Sequence, residues 1–177
     1  MSCRIYMDHA ATTEMLPEVR SAMEPYFGEE YGNASTSYEM GVKMHDVLEE
    51  ARKKIAHVID AQPEEIFFTS GGSESDNWVI KNVAGEKKHI GKHIITTKIE
   101  HHAILRSCQY LESLGYEVTY LDVDDYGLVR AEDVANALRD DTTLVSVMTG
   151  NNEIGTIEPI AEIGAFLRTK GVAFHTD

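Results

Sequence analysis

The stretch "EIFFTSGGSESDN" (residues 65–77) joins what reads as a strand to what reads as a helix. Ile66, Phe67 and Phe68 run into Thr69 and Ser70, as at the end of a buried strand. Gly71 and Gly72 let the backbone bend tightly and come close to a ligand. Ser73 reads as the N-cap of the following helix, with Asp76 completing a capping arrangement. The free N–H groups of such a first turn, at the positive end of the helix dipole, suit an anion, and phosphate is the natural guest. The ordinary alternative is a capped helix without a ligand, in which Glu74 and Asp76 only answer the dipole. Rossmann glycine spacing and a Walker lysine are both missing, which disfavours a dinucleotide or NTP site.

Working outward, the pattern alternates. Upstream, residues 4–7 read as a short strand or extended arm, 15–27 as a helix closed by Gly28, and "YGNASTS" (31–37) as a loop. Met44, Leu48, Ala51, Ile55 and Val58 recur at helical spacing in a long helix. Downstream, helices are expected over 73–84, 101–114, 131–139 and 160–169. Strands are expected over 65–70, 93–97, 117–123, 143–148 and 172–176. Several strands are apolar on both faces, which predicts a mainly parallel sheet wrapped by helices, an α/β fold in three layers.

In such a sheet, ligands bind at the carboxyl ends of the strands. Polar clusters fall at those ends: His101 and His102 after 93–97, Asn151, Asn152 and Glu153 after 143–148, and His175 and Asp177 at the last strand. Each alone has a plain structural explanation as a cap or turn. Together with the glycine-serine turn they describe a ligand with a phosphate, a flat ring and a basic ring nitrogen, which pyridoxal phosphate satisfies. Adjacent helical histidines point apart, so His101 and His102 make a poor metal pair and no metal is expected.

Bulk properties narrow the classes. The 177 residues suffice for one domain with a core, and the net charge of −14 repels a phosphate backbone, so nucleic acid is not an expected partner. No apolar run is long enough to span a membrane, and "MSCRIYMDHAATT" lacks the apolar core of a secretory signal, which points to the cytoplasm. Cys3 and Cys108 are too few for a disulfide framework or zinc site and read as structural or incidental thiols.

Seven ordered stretches then carry a resemblance: "IYMDHAATT" (5–13), "YGNASTS" (31–37), "EIFFTSGGSESDN" (65–77), "IEHHAIL" (99–105), "GYEVTYLDVDDYG" (115–127), "LVSVMTGNNEIGTIEPI" (144–160) and "FHTD" (174–177). The chain resembles the N-terminal part of NifS-like cysteine desulfurases, fold-type I pyridoxal 5′-phosphate enzymes of the class V aminotransferase superfamily. The resemblance implies conversion of L-cysteine to L-alanine and an enzyme persulfide, with sulfur passed to an acceptor protein for iron–sulfur clusters or thio-cofactors. It implies a homodimer, an N-terminal arm over 1–14 on the small-domain side, and a truncated large domain over 15–177. Gly72 and Ser73 match the phosphate site. His101 matches the ring-stacking histidine and candidate acid/base, Asn152 the asparagine near the 3′ oxygen and substrate carboxylate, and Asp177 the partner of the pyridine nitrogen. His9 and Asn33 match motifs that approach the substrate. The cofactor-bearing lysine and sulfur-accepting cysteine of the family match no position here, so the chain by itself is expected not to turn over cysteine and to self-associate through uncovered surfaces. The alternatives are another class V activity such as selenocysteine lyase, or a short non-catalytic binding module.

Overall fold

The computed structural model describes residues 5–177. They fall into two compact units, one reaching to Phe68 and the other Thr69–Asp177. Arg4 and Cys3, read above as part of an arm and as an incidental thiol, lie outside the described residues.

In the first unit, α1 (Pro17–Met23) starts with proline at its first position, where no N–H is needed. Pro25 cannot continue an α-helix, and the chain tightens into a 3₁₀ turn over Glu24–Phe27 before Gly28. The long α2 spans Glu39–Val58. Its apolar stripe is largely exposed: Leu48 and Ile55 are 44% and 42% accessible. Residues 5–7 form no strand.

The expected strand over 65–70 is absent as well. Ile66 is extended, at φ −95° and ψ 123°. However, its carbonyl receives the Arg52 guanidinium, which also lies 5.0 Å from the Phe68 ring. A side chain occupies the acceptor that a ladder would need.

The second unit holds a four-stranded, all-parallel sheet in the order β2-β1-β3-β4. The strands are β1 (His93–Thr97), β2 (Glu117–Leu121), β3 (Thr142–Ser146) and β4 (Ala173–His175). The helices are α3 (Gly72–Glu86), α4 (His102–Ser113), α5 (Ala131–Ala137) and α6 (Ile160–Lys170). Successive strand residues feed opposite faces. Ile94 and Leu144 pack with Ile80, Ala84, Ile104 and Leu111 of α3 and α4. Ile95 and Val145 pack with Val134, Ile163 and Leu167 of α5 and α6. This is the expected three-layer α/β arrangement, with one strand fewer. No helix of the described residues is long and apolar enough to cross a membrane.

One polar group is built into the core. His93 is fully buried, and its two ring nitrogens meet Thr142 Oγ1 and Thr119 Oγ1, each at 2.8 Å. It thereby ties the first residues of β1 and β3 to the middle of β2. Leu144, 1% exposed between β3 and the α3–α4 layer, tests the core. Leu144→Ala is expected to cost about 2–5 kcal/mol in urea unfolding. A loss well under 1 kcal/mol would contradict this packing.

Candidate functional site

The chain leaves β1 for β2 on one side and reaches β4 from β3 on the other. The carboxyl ends of β1 and β3 therefore open a crevice, the usual ligand position in such sheets. Two side chains span it. Glu100 Oε1 accepts from Thr97 Oγ1 (2.8 Å) at the end of β1 and from Met148 N (3.0 Å) beyond β3. Asn151 Nδ2 donates to Ile99 O at 3.0 Å. Glu100 is 5% exposed, and its Oε2 is buried without a hydrogen-bond partner. Burial pushes its carboxyl up to about 7, against the two hydrogen bonds that favour the anion.

His101 follows directly and caps α4, its Nδ1 accepting from Ala103 N at 3.1 Å. That bond fixes the tautomer: a neutral ring then carries its proton at Nε2. His102, the first residue of α4, is exposed. Beyond β4, Asp177 O accepts from Thr149 N at 2.9 Å, and Thr176 Oγ1 meets Thr149 Oγ1 at 2.7 Å. Ligand atoms of Asp76, His101 and Asp177 lie within 4.8 Å of one another. Groups as far apart in the chain as Asp76 and Asp177 thus converge. Asp76 is 3% exposed, and its carboxyl is raised to about 6, first by burial and then by the Asp177 charge. His175, whose Nδ1 meets Ser146 Oγ at 2.9 Å, is held below the usual histidine value by burial.

The glycine-serine turn is built differently from expectation. Gly71, not Ser73, is the N-cap of α3, at φ 157°, a conformation suited to glycine. Glu74 reaches back to Ser70 N (2.6 Å), the role expected of Asp76. Thr69 Oγ1 and Ser75 Oγ close the turn at 2.8 Å. The helix begins earlier than the serine suggested, because the back-reaching acid is Glu74. Asp76 instead falls four residues before Ile80 and eight before Ala84, on the buried stripe of α3. That spacing was the readable sign of its burial. A Cβ at Gly71 or Gly72 would meet nothing within 4 Å, so the helix start, with Gly72 and Ser73, faces open space.

Asn152 is exposed, its Nδ2 contacting Glu153 Oε1 at 3.2 Å. Asn151 shapes the turn that presents it, its Oδ1 accepting from Glu153 N (2.8 Å) and Ile154 N (3.1 Å). The turn is anchored outside the site: Thr156 Oγ1 donates to Tyr126 O at 2.5 Å. Buried Glu158 accepts from Val129 N at 2.9 Å. His9 and Asn33 belong to the first unit. His9 lies edge-on to Tyr6 at 5.4 Å, and Asn33 Oδ1 accepts from Ser35 N at 2.9 Å. Cys108 is fully buried on the inner face of α4, where burial pushes its thiol up to about 12. The buried roles of Asp76, Glu100 and Asn151 were not assigned from sequence.

The family model described as aminotransferase class-V matches residues 5–177. A cysteine desulfurase IscS of Clostridium botulinum is 53% identical over all 177 residues, and one of Methanosarcina thermophila is 53% identical over 173. This chain covers 45% and 43% of those two proteins, so it spans a little under half their length. Among solved structures, a NifS-like protein superposes with a TM-score of 0.96 at 39% identity, covering 99% of this chain and 49% of that one. A structure described as SspA in complex with cysteine gives 0.94 at 38% identity, covering 97% and 50%.

Glu100 gives the site a pH signature. In the folded state it keeps its proton to about pH 7, whereas an ordinary glutamate releases it near 4.5. The folded state binds the extra proton, so this group's contribution to stability is lost as pH rises through that window. Glu100→Gln is expected to flatten that part of the stability curve of cofactor-free protein and to gain stability relative to the parent at pH 8. Urea midpoints across pH 4–8 check it, and an unchanged slope contradicts it.

Proposed function

The chain belongs to the aminotransferase class-V family, and from that premise we propose that the whole protein is a pyridoxal 5′-phosphate-dependent cysteine desulfurase. It converts L-cysteine to L-alanine and holds the sulfur as an enzyme persulfide for an acceptor protein. The carrying observation is the meeting of His101 and Asp177 with buried Asp76 in the crevice, on the helix whose first turn faces open space. Its 53%-identical relatives bear the same activity in their names. Matches over nearly the whole chain do not favour a non-catalytic module.

The residues present fit the cofactor. The start of α3 offers the N–H groups of Gly72 and Ser73 and the Ser73 hydroxyl to a phosphate. The pair of Asp76 and Asp177, with Asp76 raised by burial and by its neighbour, calls for a cation, which a protonated pyridine nitrogen supplies. Bound there, pyridoxal 5′-phosphate withdraws electrons from the substrate's Cα–H bond. Asp177 holds the ring-nitrogen proton. His101 stacks on the ring and moves a proton at Nε2, because Nδ1 is committed to Ala103. Glu100 keeps the His101 turn in register with Met148. Asn152 serves the 3′ oxygen and substrate carboxylate. His9 and Asn33 are assigned to the substrate on their sequence motifs alone. A homodimer in the cytoplasm completes this reading.

The test is the whole protein loaded with pyridoxal 5′-phosphate. Release of alanine from L-cysteine is expected, with kcat/KM down about 10²-fold or more in His101→Ala and in Asp177→Asn. No alanine from the loaded protein would overturn the assignment. A strong preference for L-selenocysteine would move it to the neighbouring lyase activity.

A further inference from the structure

Asp76, whose carboxylate neighbours that of Asp177, is 3% exposed. The groups facing Asp76 are Asp177, His101 and His175. None of them is a permanent cation. The nearest is His175 Nε2 at 3.7 Å, too long for a hydrogen bond. The other nitrogen of that ring is engaged with Ser146 Oγ, and burial favours the uncharged ring. His101 is likewise committed to the Ala103 N–H through Nδ1. Burying a carboxylate without a cation is costly and is normally avoided. Here α3 places one on its buried stripe, facing the open crevice through Asp177.

We propose, on the cofactor reading given above, that Asp76 is a positioning residue whose buried carboxylate acts through Asp177 as the second counter-charge to the cofactor's ring nitrogen. Asp177 alone offers a single negative charge. With Asp76 behind it, a positive ring nitrogen entering the crevice relieves the repulsion between the two acids. Both acids then favour the protonated ring, and each amplifies the other because the inner one sits at low dielectric. Asp76 touches neither substrate nor reacting atoms. Its effect is confined to where the ring proton sits and how tightly the ring is held.

The experiment uses the whole protein loaded with pyridoxal 5′-phosphate carrying ¹⁵N in the ring. The nitrogen chemical shift is followed against pH in the parent, Asp76→Asn, Asp76→Glu and Asp177→Asn. Asp76→Asn is expected to lower the pH midpoint for ring protonation by about one unit or more. It is also expected to weaken cofactor retention about tenfold, while Asp76→Glu restores most of the midpoint. Asp177→Asn is expected to shift it further. A midpoint in Asp76→Asn equal to the parent's overturns the inference while a shifted Asp177→Asn leaves the functional reading standing. No shift in either variant overturns both. Should Asp76→Asn fail to fold, Asp76→Ala is read by the same shift. Because removing the charge relieves a buried anion, Asp76→Asn is expected to melt no lower than the parent without cofactor.

Discussion

The separation of β1 and β3 at their carboxyl ends is the constraint on which the site rests. Neighbouring parallel strands whose crossovers leave in opposite directions cannot have a connection pass between them at that edge. The gap must be held at a fixed width by side chains. Glu100 does this with one oxygen shared between the end of β1 and the backbone beyond β3, and Asn151 does it with an amide on Ile99 O. His93 performs the matching task at the other end of the sheet, where it binds threonines from both flanking strands. The sheet is therefore braced by polar groups toward both ends, while Ile94, Ile95, Leu144 and Val145 of its two central strands feed the apolar layers.

The crevice also has a polarity gradient. Its floor is acidic, with Asp76 and Glu100 buried and Asp177 beside them. Its rim at the start of α3 presents amide hydrogens. A ligand negative at one end and cationic at the other fits in one orientation only. Against an overall charge of −14, the amide rim is a place where local structure favours an anion.

The layers of the second unit were legible because its strands are short apolar runs separated by amphipathic helices and glycine stops. The failures have local causes. The 65–70 run has the composition of a strand, but pairing depends on a partner, and Arg52 from a distant helix takes the Ile66 carbonyl. The cap of α3 was misplaced by two residues because a serine outranks glycine as a cap in isolation, whereas here Gly71 supplies the conformation and Glu74 the hydrogen bond. His101 and Asp177 could be found because they stand at strand ends. Asp76 reads as a capping residue from its distance to Ser73, whereas its spacing to Ile80 and Ala84 places it inside. Glu100 gave no periodic signal, since its burial follows from the crevice that it spans.

Cys108 deserves a different kind of consideration. Fully buried on the inner face of α4 with its thiol pushed to about 12, it has almost no thiolate at neutral pH and no exposed surface. Alkylating and oxidising reagents will pass over it while the fold is intact. For a protein whose proposed work is to carry sulfur on a thiol, that silence is useful. Modification by such reagents would have to be traced to other cysteines, and the appearance of a label on Cys108 would report unfolding of the α3–α4 layer.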